Sequence, residues 1–397
     1  MKHILILGGG YGGLETALRL EKSLKNKAKV TLISKHDYHY QTTLLHRVAL
    51  GTYSTRKARI FFRKILKTTN FIKDTILQID PDKKQVKGMY GCYEYDYLVI
   101  SLGFEPNDFG ISGVKEYAFR LGSVNQAVDL LHSMEAKFKD YNFNSDPNDL
   151  RFVVVGSGFT GVEFAAELSD RAKELCEICG LDKNLIKIYL IGRSDQILPM
   201  FSPKLSQIAK TKLQKKGLNI IKANATECQK DGVIIEKDGK SEKIYANTIL
   251  WSAGVKGNEV IKNSKFESKN SRIKVDENLR VPNYPEIFVI GDCAMASGRD
   301  IIHAPTAQLA TQMGSYCAKA LTWLINSKQI KKPFVFHHKG TVCSIGHTDA
   351  VGFAFGVGII GEVAAFLKNF IENKWLYAIG GLVMVIKKGQ FRFRSSD

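Results

Sequence analysis

The chain has 397 residues, 44% of them hydrophobic and 24% charged, enough for two or three domains with ample core. That balance excludes disordered, collagen-like and disulfide-dense classes. Lys and Arg number 57 against 39 Asp and Glu, a formal charge of +18, which says little about fold but points to anionic partners such as nucleic acid, anionic lipid or acidic ligands.

Met1-Lys2-His3 leads straight into an apolar run with no signal-peptide pattern, so synthesis in the cytosol without export is expected. Ile4–Leu7 reads as a short buried strand of the kind found in parallel sheets. It runs into Gly8-Gly9-Gly10-Tyr11-Gly12-Gly13, a G-x-G-x-x-G, and then into Leu14–Leu24, whose apolar spacing is helical. In such a loop the first glycine permits the turn, the second lets backbone approach a pyrophosphate, and the third lets helix and strand pack closely. Val30–Ile33 supplies the next strand and ends at Ser34-Lys35. Arg56–Lys67 carries six basic residues among Ile60, Phe61, Phe62, Ile65 and Leu66 and reads as an amphipathic basic helix. Leu98–Gly103 is a further strand closing on glycine.

The pattern recurs 148 residues on, with Phe152–Val155 as strand, Gly156-Ser157-Gly158-Phe159-Thr160-Gly161 as loop and Val162–Leu175 as helix. Ile188–Ile191 is the following strand, leading to Gly192-Arg193, and Leu250–Gly254 closes this region. Ile287–Asp292 reads as a strand returning to the first domain, with an acid at its carboxyl end for a ribityl hydroxyl. Pro305 and Thr306 are good helix-start residues, and Gln308 and Gln312 beyond them share a helix face. Ala350–Gly361 and Trp375–Ile386 are the longest uncharged apolar stretches, twelve residues each, short of the ~18–20 that span a bilayer. One glycine loop is weak evidence; two, each between strand and helix, imply two dinucleotides, usually a flavin and a nicotinamide.

Together these residues resemble the two-dinucleotide-binding flavoproteins, and specifically the type II NADH:quinone oxidoreductases, over nearly the whole chain. The likeness is carried by the two loops, Tyr38–Leu45, Glu163, Trp251–Gly254, Gly291–Ala294 and, most specifically, Ala307-Gln308-Leu309-Ala310-Thr311-Gln312. The resemblance implies an α/β fold of two Rossmann-like domains in a glutathione-reductase-like arrangement. Residues 1–112 and 256–336 would bind FAD, 113–255 would bind NAD(P)H, and 337–397 would form a C-terminal membrane-associated and dimerising segment. It implies a respiratory-chain enzyme that pumps no protons, with non-covalent FAD, NADH as donor and a membrane quinone as acceptor. The protein would be a homodimer, peripheral on the cytoplasmic face of the membrane. The FAD residues would be Gly8, Gly10, Gly12, Gly13, Ser34, Lys35, Thr42, Thr43, Ile76, Gly103, Asp292, Ala307, Gln308 and Leu309. Those for NADH would be Gly156, Gly158, Gly161, Gly192, Arg193, Ala253 and Gly254. Glu163, Gln308 and Gln312 would be catalytic, with the Glu163 pKa raised by desolvation in an apolar pocket.

Two positions depart from that pattern. Ser34 and Lys35 stand where an acid often holds the FAD ribose, and Gly192-Arg193 where NADH enzymes tend to place Glu or Asp. An Arg near the adenosine 2′ position accommodates a 2′-phosphate, so NADPH is an alternative donor. Cys176 and Cys179 form a C-x-x-C behind the second loop, which suits helix-borne thiols better than a disulfide reductase. Sulfide:quinone oxidoreductase is the closer alternative, with Cys343 as the best candidate thiol but no convincing partner. No spacing suggests a metal site, and no recognised motif supports nucleic acid as the anionic partner. Lys368, Lys374, Lys387, Lys388, Arg392 and Arg394 flank the C-terminal apolar stretches, as in helices lying in a membrane interface.

Overall fold

Ile4, Leu5, Ile6 and Leu7 are fully buried, as a strand covered on both faces requires. They belong to the strand Lys2–Leu7 within a six-stranded sheet. Its order is Arg280–Val281, Tyr284–Val289, Tyr97–Ile100, Lys2–Leu7, Ala28–Ser34, Asn70–Lys73, parallel throughout except for the first pair. The computed structural model describes residues 1–25, 27–295, 297–298, 301–354 and 356–391. Arg392 and Arg394, expected as flanking cations, lie outside the described residues.

The chain folds as two compact units. The first comprises Met1–Gln41, Arg59–Glu105 and Lys256–His338; the second comprises Thr42–Ala58, Pro106–Val255 and Lys339–Asp397. In the first unit, the helix Tyr11–Leu24 follows the first glycine loop and packs on the helix Ala307–Ile325. The contact is backbone-close. Thr16 donates its hydroxyl to Gly12 O at 2.9 Å and to Gly314 O at 3.2 Å, and a Cβ on Gly314 would lie 2.4 Å from Gly12 O. The returning strand is shorter than its apolar run suggests. It ends at Val289, and Gly291–Cys293 forms a 3-10 turn with Gly291 at φ +66°, which L side chains rarely adopt.

The second unit is built on a parallel sheet of Leu218–Lys222, Lys187–Gly192, Arg151–Val155 and Thr248–Trp251. Val153, Val155, Ile191, Ile249 and Trp251 share one core beneath it. The helix Phe159–Cys179 follows the second glycine loop. An antiparallel sheet of Gly340–Ser344, Ala350–Ala354 and Val357–Ile360 leads into the helix Gly361–Lys388, which breaks at Gly381 (φ 67°).

The expected basic helix over 56–67 does not form. Thr55–Ala58 makes one short helix, Ile60–Phe61 pairs as a strand with Tyr38–His39, and Phe62–Lys64 is a 3-10 turn. Burial explains the difference: Ile60 and Phe62 are core residues, with Phe62 packed onto Gly9, so the apolar side chains face inward rather than toward a membrane.

Gly314→Ala tests the helix pair. Alanine improves helix propensity by about 1 kcal/mol, but overpacking against a carbonyl oxygen that cannot swing aside costs about 1–3 kcal/mol. Net destabilisation of about 1–2 kcal/mol should appear as a lower urea midpoint; a higher midpoint would mean that the helices have room to separate.

Two candidate dinucleotide cradles and a buried charge cluster

The two glycine loops are sterically equivalent at their three motif glycines. Gly8 and Gly156 turn at φ +97° and +117°, and a Cβ on them would lie 2.3 Å from Ser101 O and 2.5 Å from Ser252 O. On Gly13 or Gly161 a Cβ would meet Gly8 O at 2.0 Å or Gly156 O at 1.9 Å. Gly10 and Gly158 differ from these, since nothing lies within 4 Å of a Cβ built on either. Both stand at the N-cap in extended backbone without a side-chain cap, so the first-turn N–H groups of each helix are left for another acceptor. An open position beside uncapped N–H groups and a positive helix end fits a dinucleotide pyrophosphate. Two serines reinforce the turns. Ser101 donates to Leu7 O at 2.8 Å and Gly8 O at 3.0 Å, and Ser252 donates to Val155 O at 2.9 Å. The sequence reading gave Ser101 no role, although Ser101-Leu-Gly103 and Ser252-Ala-Gly254 repeat the same spacing.

Several other candidate residues fall in the first unit. Gly12 packs near Ile290 and Ala310 O. Ser34 closes the strand Ala28–Ser34 with Lys35 following, and Ile76 opens the strand Ile76–Asp80. Gly103 turns at φ +75° and its carbonyl accepts from the Cys293 thiol at 3.2 Å. Asp292 sits in the 3-10 turn, where burial pushes its carboxyl up to about 6 against the opposing pull of Arg272. Ala307, Gln308 and Leu309 form the first turn of the helix Ala307–Ile325, capped by the Thr306 hydroxyl, which accepts from Leu309 N at 3.1 Å. Gln312 is engaged in structure. Its amide donates to His337 O at 2.9 Å and accepts from His337 N at 3.0 Å, closing a ring with the backbone.

Thr42 and Thr43 belong to the second unit, and Thr43 donates its hydroxyl to Glu372 Oε2 at 2.9 Å. The same unit holds the residues expected around NADH. Gly192 ends its strand against Ser157, where a Cβ would lie 2.4 Å from the hydroxyl oxygen. Arg193 is exposed, with its guanidinium 5.8 Å from the Phe109 ring centroid. Ala253 leads to Gly254, whose Cβ position is filled by the Phe109 ring at 2.7 Å and whose carbonyl accepts from Asn107 N at 3.0 Å.

Glu163 lies in a buried cluster of charges. Lys368 Nζ is 2.8 Å from its Oε1, and Ser344 donates both its N–H and its hydroxyl to the same oxygen at 3.1 Å. Burial alone raises such a carboxyl, but Lys368, His46 and these hydrogen bonds together outweigh it and hold Glu163 below the usual carboxylate range. The expectation of a raised pKa is therefore overturned, because it took no account of a partner ammonium. His46 Nδ1 is 3.8 Å from Glu163 Oε2, yet burial lowers this imidazole to about 4 and keeps it neutral near pH 7. Glu167 accepts from Thr52 at 2.6 Å; burial raises its carboxyl, and Arg47 leads the interactions that outweigh this and hold it low. Arg47 also donates to Gln390 at 3.0 Å and Asn369 at 3.3 Å. Glu372 behaves oppositely to Glu163: burial raises its carboxyl, and Lys368, 3.9 Å away, does not bring it back.

The pyridine nucleotide-disulphide oxidoreductase family model matches residues 2–314. Type II NADH:quinone oxidoreductase of Staphylococcus aureus is 38% identical over 398 residues, covering 98% of this chain and 99% of that protein. The chain belongs to the type II NADH:quinone oxidoreductases. NDH2 from Plasmodium falciparum, solved with NADH, shares the fold at a TM-score of 0.87 and 21% identity, over 98% of this chain and 97% of that one. The sulfide:quinone oxidoreductase of Aquifex aeolicus is a more distant neighbour, with a TM-score of 0.79 and 21% identity over 96% and 92% of the two chains. The thiols agree with the family assignment. All seven cysteines are free; burial raises Cys176 to about 11 and lifts Cys343 well above the usual thiol range, so neither is poised as a thiolate nucleophile. Among the described residues no group of His, Cys, Asp and Glu could hold a metal ion.

The open glycines separate the two cradles experimentally. No heavy atom lies within 4 Å of a Cβ built on Gly10 or Gly158 and neither position has a positive φ, so Gly10→Val and Gly158→Val should both fold. Gly10→Val should purify without flavin. Gly158→Val should keep its flavin and lose reduction by low concentrations of NADH. Stoichiometric yellow flavin in Gly10→Val would reject the assignment of the first loop.

Proposed function

We propose that this chain is a non-proton-pumping NADH:quinone oxidoreductase of the respiratory chain, with FAD in the first cradle and NADH in the second. The observation that carries this reading is the steric duplication of the loops, each leaving one open glycine beside uncapped helix N–H groups. FAD, when bound, accepts a hydride and passes its electrons to an acceptor. The chain's own residues bind and orient. Gly10 and Gly158 admit the pyrophosphates, Ser101 and Ser252 hold the turns, and Asp292 receives a ribityl hydroxyl. Gln308, in the capped first turn, donates its amide to a quinone carbonyl, and Gln312 fixes the neighbouring segment through His337. Glu163 serves as a fixed anion rather than as the proton donor. Arg193, exposed at the end of its strand and stacked near Phe109, offers a cation to a 2′-phosphate and makes NADPH a tolerated donor.

The quinone partner places the enzyme at a membrane, and the helix Gly361–Lys388 suits a peripheral attachment from the cytoplasmic side. Lys368, Asn369 and Glu372 are buried beside Ala364, Trp375, Leu376 and Ile379, while Val363, Phe366, Phe370, Tyr377, Val383 and Ile386 are exposed. No helix among the described residues is long and apolar enough to cross a membrane. An apolar outward face with Lys374 and Lys387 exposed beside it matches an interfacial helix, and a second copy of the chain would share the same region as a homodimer.

Rapid mixing tests the enzyme reading: NADH should bleach the flavin and quinone should restore it. Gln308→Ala should slow restoration about tenfold, the value of one neutral hydrogen bond, and leave bleaching largely intact; equal slowing of both steps would move Gln308 to the nicotinamide site. Arg193→Ala should reduce NADPH use more than NADH use. A wild-type preference for NADH above about 10³ in kcat/KM would sink the tolerant donor site. For attachment, Phe366→Ser/Phe370→Ser should weaken binding to anionic vesicles more than tenfold, given about 1.5–3 kcal/mol for each buried aromatic. Release of the unaltered protein by salt alone would leave only electrostatic adsorption.

A further inference from the structure

Lys368 is shared by two buried carboxyl groups. Its ammonium lies 2.8 Å from Glu163 and 3.9 Å from Glu372, and the two are held differently. Glu163 Oε1 takes three donors, the Lys368 ammonium and the N–H and hydroxyl of Ser344, while Thr43 donates to Glu372 Oε2 at 2.9 Å. The surrounding elements sharpen the charge count. The short helix Leu45–Ala49 brings His46, which is neutral, and Arg47; the helix Phe159–Cys179 brings Glu163 and Glu167; the strand Gly340–Ser344 brings the protonated thiol of Cys343. Arg47 acts on Glu167 as its leading charge partner, His347 stands 3.6 Å from the same carboxylate, and the Tyr53 phenol is protonated. Glu163 and Glu372 share Lys368, so with both ionised two buried negative charges would face one ammonium, and one of the two keeps its proton. Distance and burial select it: Lys368 lies 2.8 Å from Glu163, which also takes two bonds from Ser344, but 3.9 Å from Glu372, whose carboxyl burial leaves raised.

We propose that Glu372 stores the proton that the protein must supply when a quinone is reduced, with Lys368 as the counter-charge that lets it release that proton. The proposal rests on the oxidoreductase reading above. The balance requires such a group. NADH brings two electrons and one proton as hydride, whereas a quinone becomes a quinol by gaining two electrons and two protons. The second proton leaves Glu372: its O–H bond breaks, an O–H bond of the quinol forms, and the new carboxylate faces Lys368 and Thr43 until a solvent proton restores it. Glu372 is in this sense a proton-holding residue, and the Thr43 hydroxyl bonded to it is a group that both donates and accepts. Glu163 gains a role as well. It keeps Lys368 from being neutralised by Glu372 alone, so Glu163→Gln should turn Glu372 into the principal anion and empty the store.

The test is the pH dependence of flavin reoxidation by a soluble quinone in wild type, Glu372→Gln, Glu372→Asp and Glu163→Gln. A carboxyl raised by burial is protonated below its pKa and is a competent donor there. The wild-type rate should fall as pH rises through that pKa, by about tenfold per unit. Glu372→Gln should be at least tenfold slower on the acid side and flat over the same range, since an amide neither stores nor titrates a proton. Glu372→Asp should keep the falling limb at a displaced pH, and Glu163→Gln should move it to lower pH. Flavin reduction by NADH, recorded on the same samples, separates a lesion in proton supply from loss of cofactor. If Glu372→Gln loses its flavin, the displaced limb in Glu372→Asp decides: an unmoved limb rejects the store. A wild-type limb retained in Glu372→Gln overturns the role of Glu372 alone. Wild-type enzyme that no quinone reoxidises overturns the oxidoreductase reading and this role with it.

Discussion

Each sheet meets its helix through a turn so tight that one added carbon would open it. The closest approach is at Gly13 over Gly8 O and at Gly161 over Gly156 O, where a Cβ would come within 2.0 and 1.9 Å. This backbone-on-backbone contact sets where each helix begins and therefore where its unpaired N–H groups point. It also explains the serines. A turn drawn this close leaves carbonyls of the strand end and loop directed at the neighbouring strand, and Ser101 and Ser252 satisfy them. In the first unit the same economy of space continues into the helix pair, where Gly12 and Gly314 bring two helix backbones together and Thr16 bonds to both. Open space is left only at the second glycine of each loop, so tight packing around that point defines the vacancy in which a phosphate can sit.

The loops were legible in the sequence because their physics is local. A strand, six loop residues and a helix satisfy one another within about twenty positions, and composition alone reports the steric demand. Thr306 as a cap was legible for the same reason, since its partner is three residues away. The charge cluster was not. Glu163 and Lys368 are 205 residues apart, so no window of sequence joins them, and a lone glutamate behind a glycine loop reads as a group facing desolvation alone. The sign of its shift was misjudged because the compensating ammonium lies on another element. The basic stretch 56–67 failed differently. Its spacing is compatible with a helix, but Phe62 is fully buried against Gly9 and Ile60 is in the core, and tertiary burial overrode periodicity.

The helix Gly361–Lys388 carries the least usual arrangement in the second unit. Water-facing helices bury apolar side chains and expose charges; this one buries Lys368, Asn369 and Glu372 as well as Ala364, Trp375, Leu376 and Ile379. A buried ammonium is tolerated because two carboxyl groups face it: burial lowers its pKa, and Glu163 and Glu372 more than restore it. The arrangement is weak as a source of stability, since desolvating these groups consumes most of what their attraction returns. Its value lies in poise. Two carboxyl groups sharing one ammonium hold one proton whose release shifts charge within the cluster and leaves none isolated.

The outward face of the same helix completes the argument. Phe366, Phe370 and Ile386 are each more than half exposed, which is costly in water unless something apolar covers them. A bilayer surface is such a cover, and it is also the phase in which a lipid-soluble quinone resides. One helix thus sets a proton-holding carboxyl on its inner face and a lipid-compatible surface on its outer face, about one helix diameter, ~10 Å, apart. The electrons must leave toward an apolar substrate while the matching proton must come from water, and these demands conflict at any ordinary surface. A helix with charged groups buried on one side and apolar side chains exposed on the other suits both demands, because the charged store is kept apart from the exposed apolar face.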